Sequence, residues 1–240
     1  MVSTSTSPAT FGLLGLLAGR SWTGYELTSQ VRRSLRFVWP VSEAHLYREQ
    51  RKLVALGWAT CVEEPTGRRT RKRYTITAAG RRALRDWLDS EPEEPQLHIE
   101  GLLRVFNADR SSVASLIGSA TSTAKAARQS VAELAAIAAE YLEPDGPMDL
   151  LERGEGGTGD RREFHGRPVL PERLPVVALT ADLTSELLDH IDRMFSELAA
   201  AASTWQTLDD LSPAETRRHL EAVVSRSKRS GADPADVSHG

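Results

Sequence analysis

A single cysteine in 240 residues, Cys61, leaves this chain without an internal disulfide and without a Cys-based zinc site. Within "WATCVEE" it reads as a buried structural residue, since free cysteine packs as a small hydrophobe. No apolar run approaches the roughly 18 residues of a membrane span, so no membrane passage is expected. The opening "MVSTSTSPAT" lacks the positive charge that precedes the apolar core of a secretory signal; it reads as a frayed tail and points to the cytoplasm. Catalytic signatures are missing as well. His98, His165, His190 and His219 are scattered, HExxH and GxSxG do not occur, and "GEGGTGD" lacks the preceding strand and the Lys-Ser/Thr ending of a phosphate loop. Asp189 and Asp192 share a helical pattern on which solvated carboxylates are common. No enzyme activity, cofactor or metal is expected.

What is present is the composition of a globular protein, 40% hydrophobic and 26% charged, long enough for one large or two small domains. The net charge of −3 conceals a division. Residues 1–89 hold 15 Lys+Arg against 7 Asp+Glu, a net of +8, whereas the remainder holds 15 against 26, a net of −11. A basic module joined to an acidic one is the distribution expected when the first binds nucleic acid and the second assembles or regulates.

The basic half parses into short elements. Pro8 opens a helix of about 8–18 crowded with Phe11, Leu13, Leu14, Leu16 and Leu17. Thr23 caps a second helix, about 23–35, with Tyr25, Leu27, Val31 and Leu35 as its apolar side and Arg32, Arg33 and Arg36 solvated. After Pro40, Ser42 stands as the N-cap of a third helix that seats Leu46, Leu53 and Leu56 on the first two and ends at Gly57. "WATCVEE" and "YTIT" read as strands around the basic turn "PTGRRTRKR", and a fourth helix follows Thr77 with Leu84, Trp87 and Leu88 on its apolar side. Trp39 and Trp58, large aromatics flanking the third helix, read as core.

Three helices, a two-stranded wing and a fourth helix make a winged helix-turn-helix. The third helix suits a major groove, where its N-terminal residues meet base edges. Those are Ser42, Glu43, Ala44 and His45, with Tyr47, Arg48 and Arg51 further along. Arg48 leads, since a guanidinium can pair bidentately with guanine or hold a phosphate. In the wing, Arg68, Arg69, Arg71, Lys72 and Arg73 would neutralise phosphates and make binding fall steeply with salt.

The order of "TFGLLGLLAGRSWTGYELTSQV", "WPVSEAHLYREQRKLVALGWA" and "GRRTRKRYTITAAGRRALRDWL" over residues 11–88 resembles the N-terminal domain of PadR-family transcriptional regulators. Gly24-Tyr25-Glu26-Leu27, Leu46-Tyr47, the Leu-x-x-x-Gly helix end and Tyr-x-Ile-Thr-x-x-Gly carry the match. The resemblance implies a repressor-like homodimer on palindromic promoter double-stranded DNA. By position it places Ser42, His45, Tyr47 and Arg48 in the contact region of the recognition helix and Arg69 and Arg71 in the wing. Some members answer to a small-molecule effector and others have none known.

Beyond Leu88, "DSEPEEPQLHIE" reads as a linker, followed by a helix through Phe106 and a long alanine-rich helix from 111 to about 142. Residues 143–173, rich in Gly, Pro and charge, read as a flexible insertion with little regular structure. A second long helix from Val176 to about Thr207 carries an apolar stripe, and a short helix from "SPAET" to about Arg226 precedes a frayed tail. The expected fold is mainly α with a small β-wing: a winged helix-turn-helix over 1–90, a helical dimerisation domain over 91–212, and a short helix and tail over 213–240. Phe106, Leu116, Leu183, Leu187, Ile191, Phe195 and Leu198 are the expected dimer contacts, and Trp87 and Trp205 the candidates for a ligand pocket. The alternative use of such a fold is protein–protein contact without specific DNA binding.

Overall fold

A computed structural model describes residues 6–66, 69–155 and 162–230. The fold is mainly α with a small antiparallel sheet. It comprises two compact units that are not contiguous in sequence: Met1–Gln96 with Gln129–Leu188, and Leu97–Arg128 with Asp189–Gly240. The division differs from a linear one because each of two long helices contributes to both units.

The first unit opens with α1 (Pro8–Gly19), the short strand β1 (Trp22–Thr23), α2 (Gly24–Ser34) and α3 (Glu43–Ala55). Leu13, Leu14 and Leu17 of α1, Leu27 and Val31 of α2 and Leu46 and Leu53 of α3 form one buried cluster. Trp22 is buried with them and satisfies its indole N–H on the Leu16 carbonyl at 2.9 Å. Gly57 ends α3 at φ 70° while Trp58 N–H reaches back to the Leu53 carbonyl at 2.9 Å, the hydrogen bonding of a Schellman stop.

Strands β2 (Ala59–Thr66) and β3 (Arg69–Ile76) pair antiparallel, and β1 joins the far side of β3 through Trp22↔Tyr74. The expected turn was longer. Arg71, Lys72 and Arg73 lie in β3 and not in a loop, because Glu64, Glu63 and Val62 stand opposite them and prolong the ladder. Helix α4 (Ala78–Leu88) closes the winged helix with its Trp87 stacked on Phe11, centroids 4.8 Å apart. Residues 91–99 are irregular.

In the second unit, α5 (Glu100–Phe106), the first part of α6 (Val113–Tyr141), the last part of α8 (Leu174–Ala202) and α9 (Pro213–Ser230) supply the helices. Its core is made by Val113, Leu116 and Ala202 and by Ala120, Ala124 and Phe195. Small residues let the backbones approach: a Cβ on Gly101 would lie 2.9 Å from the Phe195 ring.

The segment 143–173 corrects the expectation of little regular structure. Its described part holds α7 (Pro147–Glu152) and a hairpin of β4 (Glu163–Phe164) and β5 (Arg167–Pro168), turned by His165 and Gly166 at φ 50° and 68°. Beyond the hairpin, Val169, Pro171 and Leu174 are buried and Leu170 packs on the α1–α2–α3 cluster. Arg173 donates to the Gly15 carbonyl of α1 at 2.9 Å. The four apolar residues of "PVLP" anchor a segment whose average composition is polar.

Candidate nucleic-acid interface

Helix α3 divides cleanly around its axis. Leu46, Glu49, Gln50 and Leu53 are buried, whereas Ala44, Tyr47, Arg48 and Arg51 are exposed. Each set follows the spacing i, i+3, i+4, i+7 and so forms one stripe. Ser42 caps the helix, its hydroxyl accepting the His45 N–H at 3.2 Å, and retains its own proton for donation outward. His45 is half-buried between two neighbours, with Nδ1 3.4 Å from Arg48 Nη2 and Nε2 3.8 Å from the Glu49 carboxylate. Glu43, an acid at the opening of the helix, forms an ion pair with Arg32 of α2.

The wing presents its cations unequally. Arg73 is turned inward, its side chain 13% exposed, with Nε 2.6 Å from Glu64 and Nη1 3.9 Å from Glu26 at the start of α2. It welds the wing to the helix-turn-helix, which departs from its expected role at a phosphate. Arg71 remains exposed beside Glu64 at 3.2 Å, and Lys72 lies 3.9 Å from Glu63. The Arg73 hydrogen bond, outweighing desolvation, and the charges of Arg73 and Arg71 hold the Glu64 carboxyl below its ordinary range. Arg69 opens β3 opposite Thr66, and Arg68 lies outside the described residues.

Two aromatics escaped the sequence reading. Tyr25, assigned to the apolar side of the second helix, is 77% exposed in the first turn of α2. The signal was there: Tyr25 precedes Leu27 by two residues, which places it roughly 200° around the helix from that buried side chain. Trp39, expected in the core, is 46% exposed because the α2–α3 connection holds it on no helix face. Trp39 precedes the first residue of the exposed stripe by five positions, and Tyr25 follows Gly24, whose Cβ would lie 3.8 Å from the Tyr47 ring. Trp58, by contrast, packs against the buried cluster, and Cys61 is only half-buried beside Tyr74.

Arg33 and Arg36 are not merely solvated. Arg33 Nη2 lies 2.6 Å from Glu140 near the end of α6, where Arg167 Nη1 also reaches that carboxylate at 3.1 Å, and Arg36 pairs with Glu133 one helical region earlier. The Arg33 hydrogen bond, ahead of opposing desolvation, keeps the Glu140 carboxyl below its usual range. The last turns of α6 thus hold α2 and the residues just beyond it through Arg33 and Arg36.

Among the expected dimer contacts, Leu116 and Phe195 are buried in the second unit's own core and are unavailable to a partner. Ile191 and Leu198 are half-buried against the same core. Phe106, 82% exposed, and Leu183 and Leu187 remain open. Trp87 and Trp205, candidates for a ligand pocket, each pack in a separate unit, Trp87 on Phe11 and Trp205 beside Val113 and Leu116. Among the described residues no group of His, Cys, Asp and Glu could hold a metal ion, and no helix is long and apolar enough to cross a membrane.

The winged helix is similar to known proteins. A curated relative, the Negative transcriptional regulator PadR of Bacillus subtilis (strain 168), is 33% identical over 79 residues, which are 32% of this chain and 43% of that protein. The chain therefore matches less than half the length of that relative. A solved structure of smu.1604c from Streptococcus mutans UA159 superposes with a TM-score of 0.62 at 17% identity, covering 80% of this chain and 98% of the other. Bacillus subtilis PadR in complex with operator DNA gives 0.60 at 18% identity over the same shares. At such identities the likeness shows a common fold. Residues 13–86, the winged-helix part of the chain, match the Transcriptional regulator PadR-like family.

Proposed function

We propose that the chain acts in the cytoplasm as a homodimeric repressor of transcription, reading palindromic promoter DNA with α3 in the major groove and the wing along the backbone. One observation carries the reading: Ala44, Tyr47, Arg48 and Arg51 form a solvent-facing stripe on a helix whose opposite side is locked into the core. A base-reading helix needs that arrangement, because the groove demands a protruding face held rigidly from behind. The name of the Bacillus subtilis relative supports repression, and the neighbour solved on operator DNA supports docking by this fold. Ser42, His45, Tyr47, Arg48 and Arg51 are the proposed base and phosphate contacts of α3, with Arg68, Arg69, Arg71 and Lys72 in the wing.

Dimerisation rests on α8. Val176, Leu179, Leu183 and Leu187 recur at intervals of three or four and all are exposed, an apolar stripe that a single chain leaves in water. Burial against a second copy about a two-fold axis would set two α3 helices about 34 Å apart, one turn of duplex. Sedimentation at micromolar concentration tests this, and a stable monomer would refute it.

The pairing of Arg71 and Lys72 with Glu64 and Glu63 favours a second reading, a winged helix that contacts protein, since the wing's charge is partly neutralised from within. Capture of genomic fragments by the purified chain at moderate salt separates the two. Enrichment of discrete fragments supports the DNA reading; retention no better than random duplex supports the protein one. A thermal-shift screen of aromatic acids and drug-like compounds tests whether an effector belongs to the system.

A further inference from the structure

The inward side of α3 holds two consecutive polar residues where leucines would seat a helix more simply. Glu49 is buried and its carboxylate accepts the hydroxyl proton of Thr10 on α1. Gln50 is 0% exposed, and its Nε2 donates to the Gly24 carbonyl at 3.1 Å and to the Thr28 hydroxyl at 3.0 Å, both on α2. Gln50 Oε1 finds no hydrogen-bond partner among the described residues. Gly24 leaves room for that oxygen, since a Cβ there would lie 2.9 Å from it.

A buried carbonyl without a donor costs stability, so Gln50 is a poor choice for holding the domain together. What it supplies is direction. Apolar contacts through Leu46 and Leu53 tolerate a roll of the helix, whereas hydrogen bonds to two fixed acceptors on α2 and one donor on α1 resist it. On a helix with side-chain ends about 6 Å from its axis, a roll of roughly 20° carries each end about 2 Å sideways. That displacement exceeds the tolerance of a base-edge hydrogen bond.

We propose that Gln50, assisted by Glu49, is a positioning residue that sets the rotation of α3 about its axis and so decides which side chains meet the base edges. The inference rests on the DNA-binding reading and adds to it a source of sequence preference that touches no nucleic acid.

The test begins with the full chain selecting duplexes from a random pool, followed by affinities for the selected and for random duplex at several salt concentrations. Gln50→Leu is expected to melt at or above the wild-type temperature and to keep its affinity for random duplex and its salt slope. Its preference for the selected duplex is expected to fall about fivefold or more, the discrimination one base-edge contact supplies. Thr28→Val, on a different helix, is expected to lower the preference in the same direction, and Thr28→Ser to restore it. An unchanged preference in folded Gln50→Leu and Thr28→Val overturns the inference while leaving DNA binding intact. A wild-type chain that selects no sequence overturns the DNA-binding reading and this inference together.

Discussion

Arg48 and Arg71 are both exposed arginines, yet their settings assign them different work. Arg48 belongs to the α3 stripe and contacts His45, while Arg71 sits on a wing strand opposite Glu64. Arg48→Ala is therefore expected to change the relative affinities among operator variants, and Arg71→Ala to weaken all duplexes alike while lowering the salt slope by about 1. Binding assays over several salt concentrations distinguish these outcomes, and equal sequence-blind losses would remove Arg48 from base reading. Glu64 should act in the opposite sense. It pairs with the exposed Arg71, so Glu64→Gln is expected to raise affinity for every duplex and steepen the salt dependence by about 1.

At the scale of elements, the start of α2 and the start of α4 show how local motifs hold the winged helix. Thr23 and Glu26 form a capping box, with Glu26 Oε2 accepting the Thr23 N–H at 2.7 Å and Arg73 nearby. Burial works against the Glu26 carboxylate, but the hydrogen bonds from Thr23 and the charges of Arg73 and Arg20 outweigh it, and its pKa is lowered. A lowered folded value means that this stability is complete above the ordinary carboxyl value of 4.5 and is lost as pH falls through the depressed one. Denaturant titrations from neutral to acid pH are expected to show a fall that Glu26→Gln flattens. In α4, a Cβ on Gly80 would lie 2.1 Å from the Trp58 carbonyl oxygen, which Thr77 N–H also engages at 2.9 Å. Neither backbone can yield, so Gly80→Ala is expected to destabilise by about 1–3 kcal/mol, read as a lower denaturation midpoint at unchanged slope. The glycine of the Tyr-x-Ile-Thr-x-x-Gly pattern thus has a packing reason.

For the whole molecule, the proposed assembly turns on the α8 stripe. Leu183→Asp and Leu187→Asp place carboxylates on a face that is exposed in one chain and buried in the proposed dimer. Each is expected to leave the fold of the monomer intact by circular dichroism while shifting sedimentation to a monomer and sharply weakening binding to a two-half-site duplex. Phe195→Asp should instead unfold the second unit, because Phe195 is core and not interface. The contrast separates residues that sequence periodicity had grouped together.

The sequence by itself determined the winged-helix order, the cap at Ser42, the stop at Gly57 and the two long helices. These rest on local rules, capping, glycine at positive φ and apolar periodicity, that act within a few residues. Only the tertiary structure decided that Tyr25 and Trp39 face solvent, that Arg73 turns inward between Glu64 and Glu26, and that Leu116 and Phe195 are consumed by one chain's own core. It also showed Glu49 and Gln50 facing inward on polar partners, and "PVLP" pinning the 143–173 segment to α1. The partners in each case lie far away along the chain, and periodicity reports which side of an element is apolar but not what will be standing opposite it.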